Sequence, residues 1–454
     1  MEKTLKKSVL IYSAAIVLEL VILILVARHA GWSLNPYLTG FDTIEYSTIA
    51  KNLVAHHSFS KSLTPPLVPN FFRSPGYPFW LAFIYWIFGT LKPAIFLGMA
   101  AFALSAPLVY LIMRKIFSEK LAFWAGMIFA LEPRMAFSAP FILSEQIFMP
   151  LFLLSVFFAA GFLSGGKKKF VLLSAVFLSL SALVRGISLY LWPLFLIFFL
   201  IKTYKKWPVR KILKVFGAAT AVFILIFSPW LVRNRLTLGT WQSSSLFGVQ
   251  LYWGHLEALE IYLGTPQELA HQKLMNLANH LVGDNFETPR AISILTKEAM
   301  KEIRSNLFSS IKVYIFNSAL FFITDGYKGM ASYIVNIKPN YINFSSLIIH
   351  FKFKEIIDSM KSFSLLEVII PILGRVFWII LTILSFFGVF SSVKNVRQQR
   401  LVLVLFILLI LYFSIMSGSV VAIDPRFRFP VNGFLIAFAL VPIFKMMKLK
   451  YNYE

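Results

Sequence analysis

Residues 8–27 read SVLIYSAAIVLELVILILVA, and Glu19 is the one charged side chain among them. A helix needs about 20 predominantly apolar residues to cross the hydrocarbon core of a bilayer, so this run predicts a membrane-spanning helix. The run follows the basic residues Lys3, Lys6 and Lys7 and has no small-residue cleavage site. This pattern indicates a retained membrane anchor rather than a signal peptide that is removed.

The composition of the whole chain agrees with that first span. The 454 residues are 58% hydrophobic and 14% charged, with a mean hydropathy of +0.75, whereas a soluble domain is about 25% charged. The 48 Phe and 10 Trp suit a chain in and beside a bilayer. The sequence has no cysteine, which excludes disulfides, thiolate nucleophiles and Cys-ligated zinc.

The apolar runs predict an all-α polytopic membrane protein with about ten spanning helices and further helices along its outer face. The predicted spans are 8–27, 94–113, 121–137, 142–163, 170–184, 187–201, 212–230, 366–390, 401–416 and 431–444. The apolar run 79–88 is too short to cross and predicts an interfacial or re-entrant helix. The spacing of Ile44, Ile49 and Leu53 predicts a surface helix over 43–56.

The net charge of +24 is concentrated in short segments between spans. The basic stretches are 3–7, 114–120, 167–169, 202–214, 394–400 and 445–450. Ten crossings that start inside the cell place all six stretches on one face, as the positive-inside rule requires. We therefore predict a cytoplasmic N terminus and contact with anionic membrane lipids, and no nucleic-acid partner.

The spans divide the chain into three parts. Residues 1–230 form the predicted catalytic transmembrane module, which includes a first outer loop at 28–93. Residues 231–365 are predicted to be extracytoplasmic, mainly helical and juxtamembrane, because Thr265-Pro266 and Thr288-Pro289 are strong helix starts. Two aromatic, apolar runs in this part, 313–323 and 341–353, are predicted to lie along the membrane. Residues 366–454 carry the C-terminal spans.

Arginines gather at the outer ends of the predicted spans, against the positive-inside bias. They are Arg73, Arg134, Arg185, Arg233, Arg235, Arg375, Arg426 and Arg428. The planar fork of arginine matches phosphate oxygens, so the set predicts a site for a lipid-linked phosphate or pyrophosphate. The alternative for each residue is simple snorkelling to headgroup phosphates.

Acids on the same face supply the candidate catalytic groups. They are Asp42, Glu45, Glu132, Glu145, Asp325 and Asp424. Two acids beside phosphate-binding arginines suit deprotonation of an acceptor next to a leaving phosphate, which favours Asp42 and Glu145. The structural alternatives are a helix N-cap for Asp42 and a first-turn acid for Glu145.

The sequence has no HExxH, no Ser-His-Asp order, no Walker loop and no dinucleotide fingerprint. Its histidines, His255 among them, form no metal-binding pattern. A catalytic divalent metal would have to be held by carboxylates, and no spacing indicates such a site. The sequence therefore predicts no particular cofactor.

Six motifs in chain order resemble the GT-C membrane glycosyltransferases. The nearest families are the dolichyl-phosphate-mannose protein mannosyltransferases and the bacterial aminoarabinose transferase of lipid A. The motifs are Asp42-Thr43-Ile44-Glu45-Tyr46, Arg73-Ser74-Pro75-Gly76-Tyr77-Pro78, Leu143-Ser144-Glu145, Leu183-Val184-Arg185, Pro229-Trp230-Leu231-Val232-Arg233-Asn234 and Asp424-Pro425-Arg426-Phe427-Arg428. Phe41 stands where the protein mannosyltransferases usually have a second acid. The large outer domain of the eukaryotic members has no counterpart, so the departures favour a bacterial or archaeal envelope sugar over protein O-mannosylation.

The resemblance implies an extracytoplasmic site, a polyprenyl-phosphate sugar donor and inversion at the anomeric carbon. It implies that Asp42 is the base that activates the acceptor and that Glu145 orients Asp42 or the acceptor. The residues implied to hold the donor phosphate are Arg73, Arg185, Arg233 and Arg428. Further predicted substrate contacts are Tyr46, Tyr77, Arg426 and His255.

Sugar and acceptor stay open at this point, because a lipid, a cell-wall polymer, a polysaccharide or a protein would each fit as acceptor. The main alternative function is a transporter or flippase of lipid-linked anionic saccharides. Such a protein should show charges at the membrane midplane and broken helices in paired halves. A catalytically inactive scaffold of envelope assembly is the third interpretation.

Overall fold

The computed structural model describes residues 2–283, 286, 288–335, 354, 364–396, 399–419 and 424–451. The helices there are α1 Glu2–His29, α2 Asn35–Leu38, α3 Phe41–His56, α4 Gly76–Phe88, α5 Lys92–Ala103, α6 Ser105–Met113, α7 Glu119–Ala130, α8 Pro133–Ser138, α9 Glu145–Leu163, α10 Lys169–Val184, α11 Leu191–Thr203, α12 Val209–Leu238, α13 Leu246–Val249, α14 Glu257–Tyr262, α15 Gln267–Val282, α16 Pro289–Ser305, α17 Leu307–Ile323, α18 Tyr327–Ala331, α19 Leu365–Asn395, α20 Arg400–Ser417 and α21 Phe429–Met446. Two 3₁₀ turns, Gly186–Tyr190 and Pro425–Arg428, and one π-helix, Gln250–Leu256, join them. The predicted all-α class is confirmed.

Eight segments in the described part of the chain are long and apolar enough to cross a membrane. They are Glu2–His29, Lys92–Met113, Glu145–Leu163, Gly186–Thr203, Val209–Leu238, Leu365–Asn395, Arg400–Ser417 and Pro425–Met446. The other two predicted spans form shorter helices. The run 121–137 is split into α7 and α8, because Pro133 starts a new helix and the Glu132 carboxylate caps it by accepting from the Met135 N–H at 2.6 Å. The run 170–184 is α10, which has 16 residues.

The helix α17 belongs to the membrane bundle. It meets α16 at a bend of 104°. The Thr382 hydroxyl of α19 donates to the Phe322 carbonyl at 3.0 Å, and the Ser414 hydroxyl of α20 donates to the Ser318 carbonyl at 2.8 Å. These contacts join residues 313–323, predicted to lie along the membrane, to the C-terminal spans. The run 341–353 lies outside the described residues.

Three of the basic stretches meet at one end of the helix assembly. Lys7 Nζ lies 2.7 Å from Glu119 Oε1, Arg114 Nη1 donates to Thr4 Oγ1 at 2.7 Å, and the Ser118 hydroxyl donates to the Lys450 carbonyl at 2.8 Å. The helix α1 begins at this end and has 28 residues, which makes it about 42 Å long. The first outer loop therefore begins at the opposite end of the bundle.

The most buried spans are Pro425–Met446 and α9. The helix α19 packs against α21 with almost no side chain between them: a Cβ added at Gly388 would lie 1.8 Å from the Phe438 carbonyl oxygen. Small residues allow this backbone approach between membrane helices. Because Glu145 starts α9 and Arg426 lies in the turn before α21, two charged residues sit at the ends of the most firmly packed helices.

Candidate active site

A cavity of about 300 Å³ opens where the first turn of α3, the start of α9, the end of α10 and the turn before α21 converge. Its wall includes six residues that the sequence predicted for the site: Asp42, Tyr46, Arg73, Glu145, Arg185 and Arg426. Helix ends position these side chains: Arg185 follows α10 and Arg426 precedes α21, whereas the basic residues Lys168 and Lys445 lie at the opposite ends of the same two helices. The six residues come from five separate parts of the chain.

Arg73 is the anchor of one side of the cavity. Asp42 and Glu45 lie three residues apart on α3, so both carboxylates face the same way. Arg73 Nη2 lies 2.7 Å from Asp42 Oδ1, and Arg73 Nε donates to Glu45 Oε2 at 2.6 Å. The guanidinium also lies 4.7 Å from the ring centroids of Tyr46 and Phe72. Desolvation opposes the charge of Arg73, but Tyr46, Asp42 and Glu45 outweigh it and hold its pKa above the ordinary value.

Arg426 holds the second oxygen of Asp42. Arg426 Nη1 lies 3.3 Å from Asp42 Oδ2, and Arg426 Nε lies 3.3 Å from Asp424 Oδ1. The Asp424 carboxylate accepts from the Arg426 N–H at 2.8 Å, and Pro425 follows it, so this dipeptide caps the turn and directs Arg426. Burial would raise the pKa of Asp42, but Arg73 and Arg426 outweigh it and hold that pKa below its ordinary value.

Glu145 and Arg185 form the opposite wall. Arg185 Nη1 donates to Glu145 Oε1 at 2.5 Å, and Arg426 Nη1 lies 4.0 Å from the same oxygen. Arg185 follows the last residue of α10 with an extended backbone, which turns its side chain towards α9. Glu145 was predicted to orient Asp42 or the acceptor. Its carboxylate contacts Arg185, Arg426 and the Ser144 hydroxyl, which donates to it at 3.4 Å, and Arg426 links it to Asp42.

These contacts form one chain of alternating charges. In order along it stand Lys61, Glu45, Arg73, Asp42, Arg426, Glu145 and Arg185. Burying a carboxylate is costly unless a cation compensates it, and each acid here touches two cations. Asp42 lies at the middle of this chain, with one oxygen on each arginine.

Arg428 does not reach the cavity, although the sequence predicted a phosphate-binding role for it. It is fully buried, and its guanidinium donates to the carbonyls of Phe321 and Thr324, each at 2.7 Å, and to Asn432 Oδ1 at 3.0 Å. It also lies 3.5 Å from the ring centroid of Trp378. Its donors serve the carbonyls at the C-terminal end of α17, which otherwise have no intrahelical partner.

Arg233 is also outside the cavity. It donates to the Asn70 carbonyl at 3.1 Å and lies 4.9 Å from the ring of Trp230 and 5.4 Å from the ring of Phe59. These contacts fasten the first outer loop to α12. Arg233 thus binds the protein backbone, and its contact with the donor phosphate stays a prediction.

Tyr77 and His255, two predicted substrate contacts, are likewise buried away from the cavity wall. The Tyr77 hydroxyl donates to Gln146 Oε1 at 2.7 Å, and its ring supports Tyr46 edge-to-face at 4.9 Å. His255 lies in the π-helix with Nε2 2.5 Å from Ser310 Oγ, and burial lowers the pKa of its imidazole. Tyr77 thus positions a wall residue, whereas His255 belongs to the packing of 231–323.

Part of the wall has no signal in the sequence. It comprises Ser243, Ser244, Leu246, Phe247 and Gln250 from the segment after α12, together with Tyr190, Met416 and Ser417. Ordinary polar and apolar residues of this kind carry no recognisable motif. Among the described residues, no group of three His, Asp or Glu side chains is arranged to hold a metal ion.

Residues 72–232 match the sequence profile of the dolichyl-phosphate-mannose-protein mannosyltransferase family. The matched segment contains Arg73, Glu145 and Arg185 of the cavity. No curated protein sequence matches the chain significantly.

Solved structures of an archaeal oligosaccharyltransferase share the fold. AglB from Archaeoglobus fulgidus, in complex with an inhibitory peptide and a dolichol-phosphate, aligns with a TM-score of 0.50 at 13% identity, over 97% of this chain and 50% of its own. The apo form of the Archaeoglobus fulgidus oligosaccharyltransferase aligns with a TM-score of 0.50 at 14% identity, over 97% of this chain and 51% of its own. ArnT from Cupriavidus metallidurans, bound to undecaprenyl phosphate, aligns with a lower TM-score of 0.41 at 13% identity, over 96% of this chain and 77% of its own.

The chain spans about half the length of the archaeal oligosaccharyltransferases that it matches. At these identities the structural likeness shows the fold alone. The six motifs resemble the same family whose profile matches residues 72–232, and the archaeal oligosaccharyltransferase shares the fold. Residues 72–232 are therefore similar to the dolichyl-phosphate-mannose-protein mannosyltransferases, and the whole chain has the helical fold of a membrane oligosaccharyltransferase.

Proposed function

We propose that this protein transfers a sugar from a polyprenyl-phosphate donor to an acceptor hydroxyl or phosphate at the extracytoplasmic membrane face. The observation that carries the proposal is the position of Asp42 between Arg73 and Arg426, in a cavity at the ends of membrane helices. A carboxylate for the acceptor and arginines for a phosphate are the groups that this reaction needs. The basic stretches at the other end of the bundle support an extracytoplasmic cavity.

The donor phosphate would bind to Arg73, Arg185 and Arg426, the three arginines on the cavity wall. A phosphodiester linking a sugar to a prenyl chain has two non-bridging oxygens, which match the fork of a guanidinium. As the phosphate leaves, its negative charge grows. Arginines held in place by Glu45 and Glu145 can stabilise that charge without rearranging.

The chemistry is a single displacement. Asp42 takes the proton of the acceptor hydroxyl, and the acceptor oxygen forms a bond to the anomeric carbon. The bond between that carbon and the phosphate oxygen breaks, and its electron pair leaves with polyprenyl phosphate. One displacement inverts the anomeric configuration.

A larger, mostly apolar cavity supports a lipid-linked donor. Its volume is about 590 Å³, and the 3₁₀ turn before α11, the helices α12 and α16 and residues 241–245, 247 and 248 line it. It shares Tyr190, Ser243, Ser244 and Phe247 with the charged cavity. A prenyl chain could therefore leave the phosphate site directly into apolar surroundings. The archaeal oligosaccharyltransferase of the same fold was solved with a dolichol-phosphate, a lipid of this class.

The test is release of polyprenyl phosphate by the purified protein in lipid, supplied with a panel of radiolabelled polyprenyl-phosphate sugars. We expect release from one donor class, and release at a much lower rate with the Asp42→Asn variant. The transporter would be favoured by two results together. A donor would bind to the wild-type protein but not to Arg73→Ala, and no polyprenyl phosphate would be released from any donor with any acceptor fraction. The gathering of the arginines at one end of the bundle, rather than at midplane, argues against that alternative.

We predict that Arg73→Lys weakens donor use. A lysine offers one point charge where Arg73 contacts Asp42 and Glu45 through different nitrogens. Loss of one charge-assisted hydrogen bond predicts a fall of about 10- to 100-fold in kcat/KM for the donor. Arg235→Lys is the matched control, because Arg235 is exposed and donates to the Gly239 carbonyl of its own helix end. An unchanged donor KM in Arg73→Lys would exclude Arg73 as a donor ligand.

The proposed face is testable because the chain has no native cysteine. A single cysteine at the exposed position Lys51, on α3, should react in intact cells with a membrane-impermeant maleimide. A cysteine at the exposed Lys168, in a basic stretch, should react only after the cells are opened. The reverse pattern would place the cavity on the cytoplasmic side.

A further inference from the structure

Asp42 is fully engaged by the arginines that would bind the donor. Its Oδ1 lies 2.7 Å from Arg73 and its Oδ2 lies 3.3 Å from Arg426. With a guanidinium on each oxygen, the carboxylate has a reduced affinity for a proton, and its pKa lies below the ordinary value. In this arrangement Asp42 is a weaker base than a free carboxylate, and release of one of the two contacts would raise its affinity for a proton.

We propose that the donor phosphate takes the place of Asp42 on Arg426, so that binding of the donor itself frees the base. This inference rests on the proposed function, and it gives Arg426 a positioning role in addition to phosphate binding. The base is then available only when the leaving group is in place.

Asp42 separates from Arg426, rather than from Arg73, when the phosphate binds. Arg73 is clamped by Glu45 at 2.6 Å and lies against two aromatic rings, and its side chain is 11% exposed. The Arg426 side chain is 24% exposed. Its guanidinium lies 3.3 Å from Asp42, 3.3 Å from Asp424 and 4.0 Å from Glu145. Ion pairs at these longer distances are weaker, so a phosphate that offers two oxygens in one plane can replace them.

The arginines around the cavity already hold acids, and this occupancy favours an exchange over a simple addition. Four acids, Asp42, Glu45, Glu145 and Asp424, face five cations, Lys61, Arg73, Arg134, Arg185 and Arg426, so the excess is one positive charge, and each of these arginines is paired. Both non-bridging oxygens of an incoming phosphate need guanidinium partners that the acids already occupy. Asp42 has a second partner in Arg73, so it can leave Arg426 and remain paired. After transfer, Asp42 gives up the acceptor proton to solvent, and the return of its carboxylate to Arg426 helps to expel polyprenyl phosphate.

The test is equilibrium binding of undecaprenyl phosphate to the full-length protein in nanodiscs, compared for wild type and Asp42→Asn. Removing the competing carboxylate should tighten binding about tenfold, since one charge-assisted contact no longer has to be broken. Glu257→Gln is the control and should bind like wild type, because Glu257 is an acid paired with His271 outside the cavity.

A double-mutant cycle shows whether the gain depends on Arg426. In an Arg426→Gln background, Asp42→Asn should no longer tighten binding, because there is no exchange to relieve. Equal or weaker binding by Asp42→Asn, or a gain that persists in the Arg426→Gln background, would overturn the exchange. If wild type and every variant fail to bind undecaprenyl phosphate, the polyprenyl-phosphate donor is itself wrong, and the exchange is rejected with it.

Discussion

Asp42→Asn is expected to lower the rate of sugar transfer by about 10²- to 10⁴-fold, the usual contribution of a positioned general base. The amide has the shape of the carboxylate and can still accept a hydrogen bond from Arg73 or Arg426, but it cannot take the proton of the acceptor. The measurement is kcat at saturating donor, with folding checked by a monodisperse elution profile. Because the exchange on Arg426 no longer opposes the donor, the donor KM should not rise.

Glu45→Gln is the matched control for this loss. Glu45 lies one turn away on the same helix and pairs with the same arginine, at 2.6 Å. The substitution removes an ion pair of Arg73 but leaves the proposed base in place, so its effect should fall mainly on the donor KM. Near-normal turnover in Asp42→Asn, or an equal loss of kcat in both variants, would exclude Asp42 as the base.

Arg428→Met should destabilise the folded protein by about 3 kcal/mol or more, because it leaves buried carbonyl groups without donors. Arg428 donates to Phe321 and Thr324 at the end of α17 and to Asn432 in α21. The substitution should lower the thermal unfolding temperature in detergent while leaving the donor KM of the folded fraction unchanged. Arg235→Met, at an exposed arginine, should have little effect on either quantity.

This experiment separates two interpretations of the same residue. The resemblance of the motif around Asp424-Pro425-Arg426-Phe427-Arg428 implied phosphate binding by Arg428, whereas Arg426 and not Arg428 lines the cavity. A raised donor KM with unaltered thermal stability in Arg428→Met would restore the prediction made from the motif. Arg428→Lys should fall between wild type and Arg428→Met in stability, since a single ammonium cannot serve three acceptors spread across a guanidinium.

The membrane helices and the segments that carry the site were predictable from the sequence. In lipid each spanning helix must satisfy its own backbone and bury an apolar surface, so local composition is enough to find it. Helix starts are also local, as at Glu132-Pro133 and Asp424-Pro425, where an acid caps the turn that a proline begins. The same locality made Asp42 and Arg73 visible, since charged residues at the ends of apolar helices stand out from their surroundings.

Only the tertiary structure decided which charges meet. Arg426 and Arg428 are two residues apart and chemically identical, yet one lines the cavity and the other closes the end of α17. Arg233 fits its motif as well as Arg73 does, yet it holds a loop. The wall contributed by residues 243–250 carries no motif at all. An ion pair depends on distances between helices far apart in the chain, and the apolar pattern that forms each helix does not encode those distances.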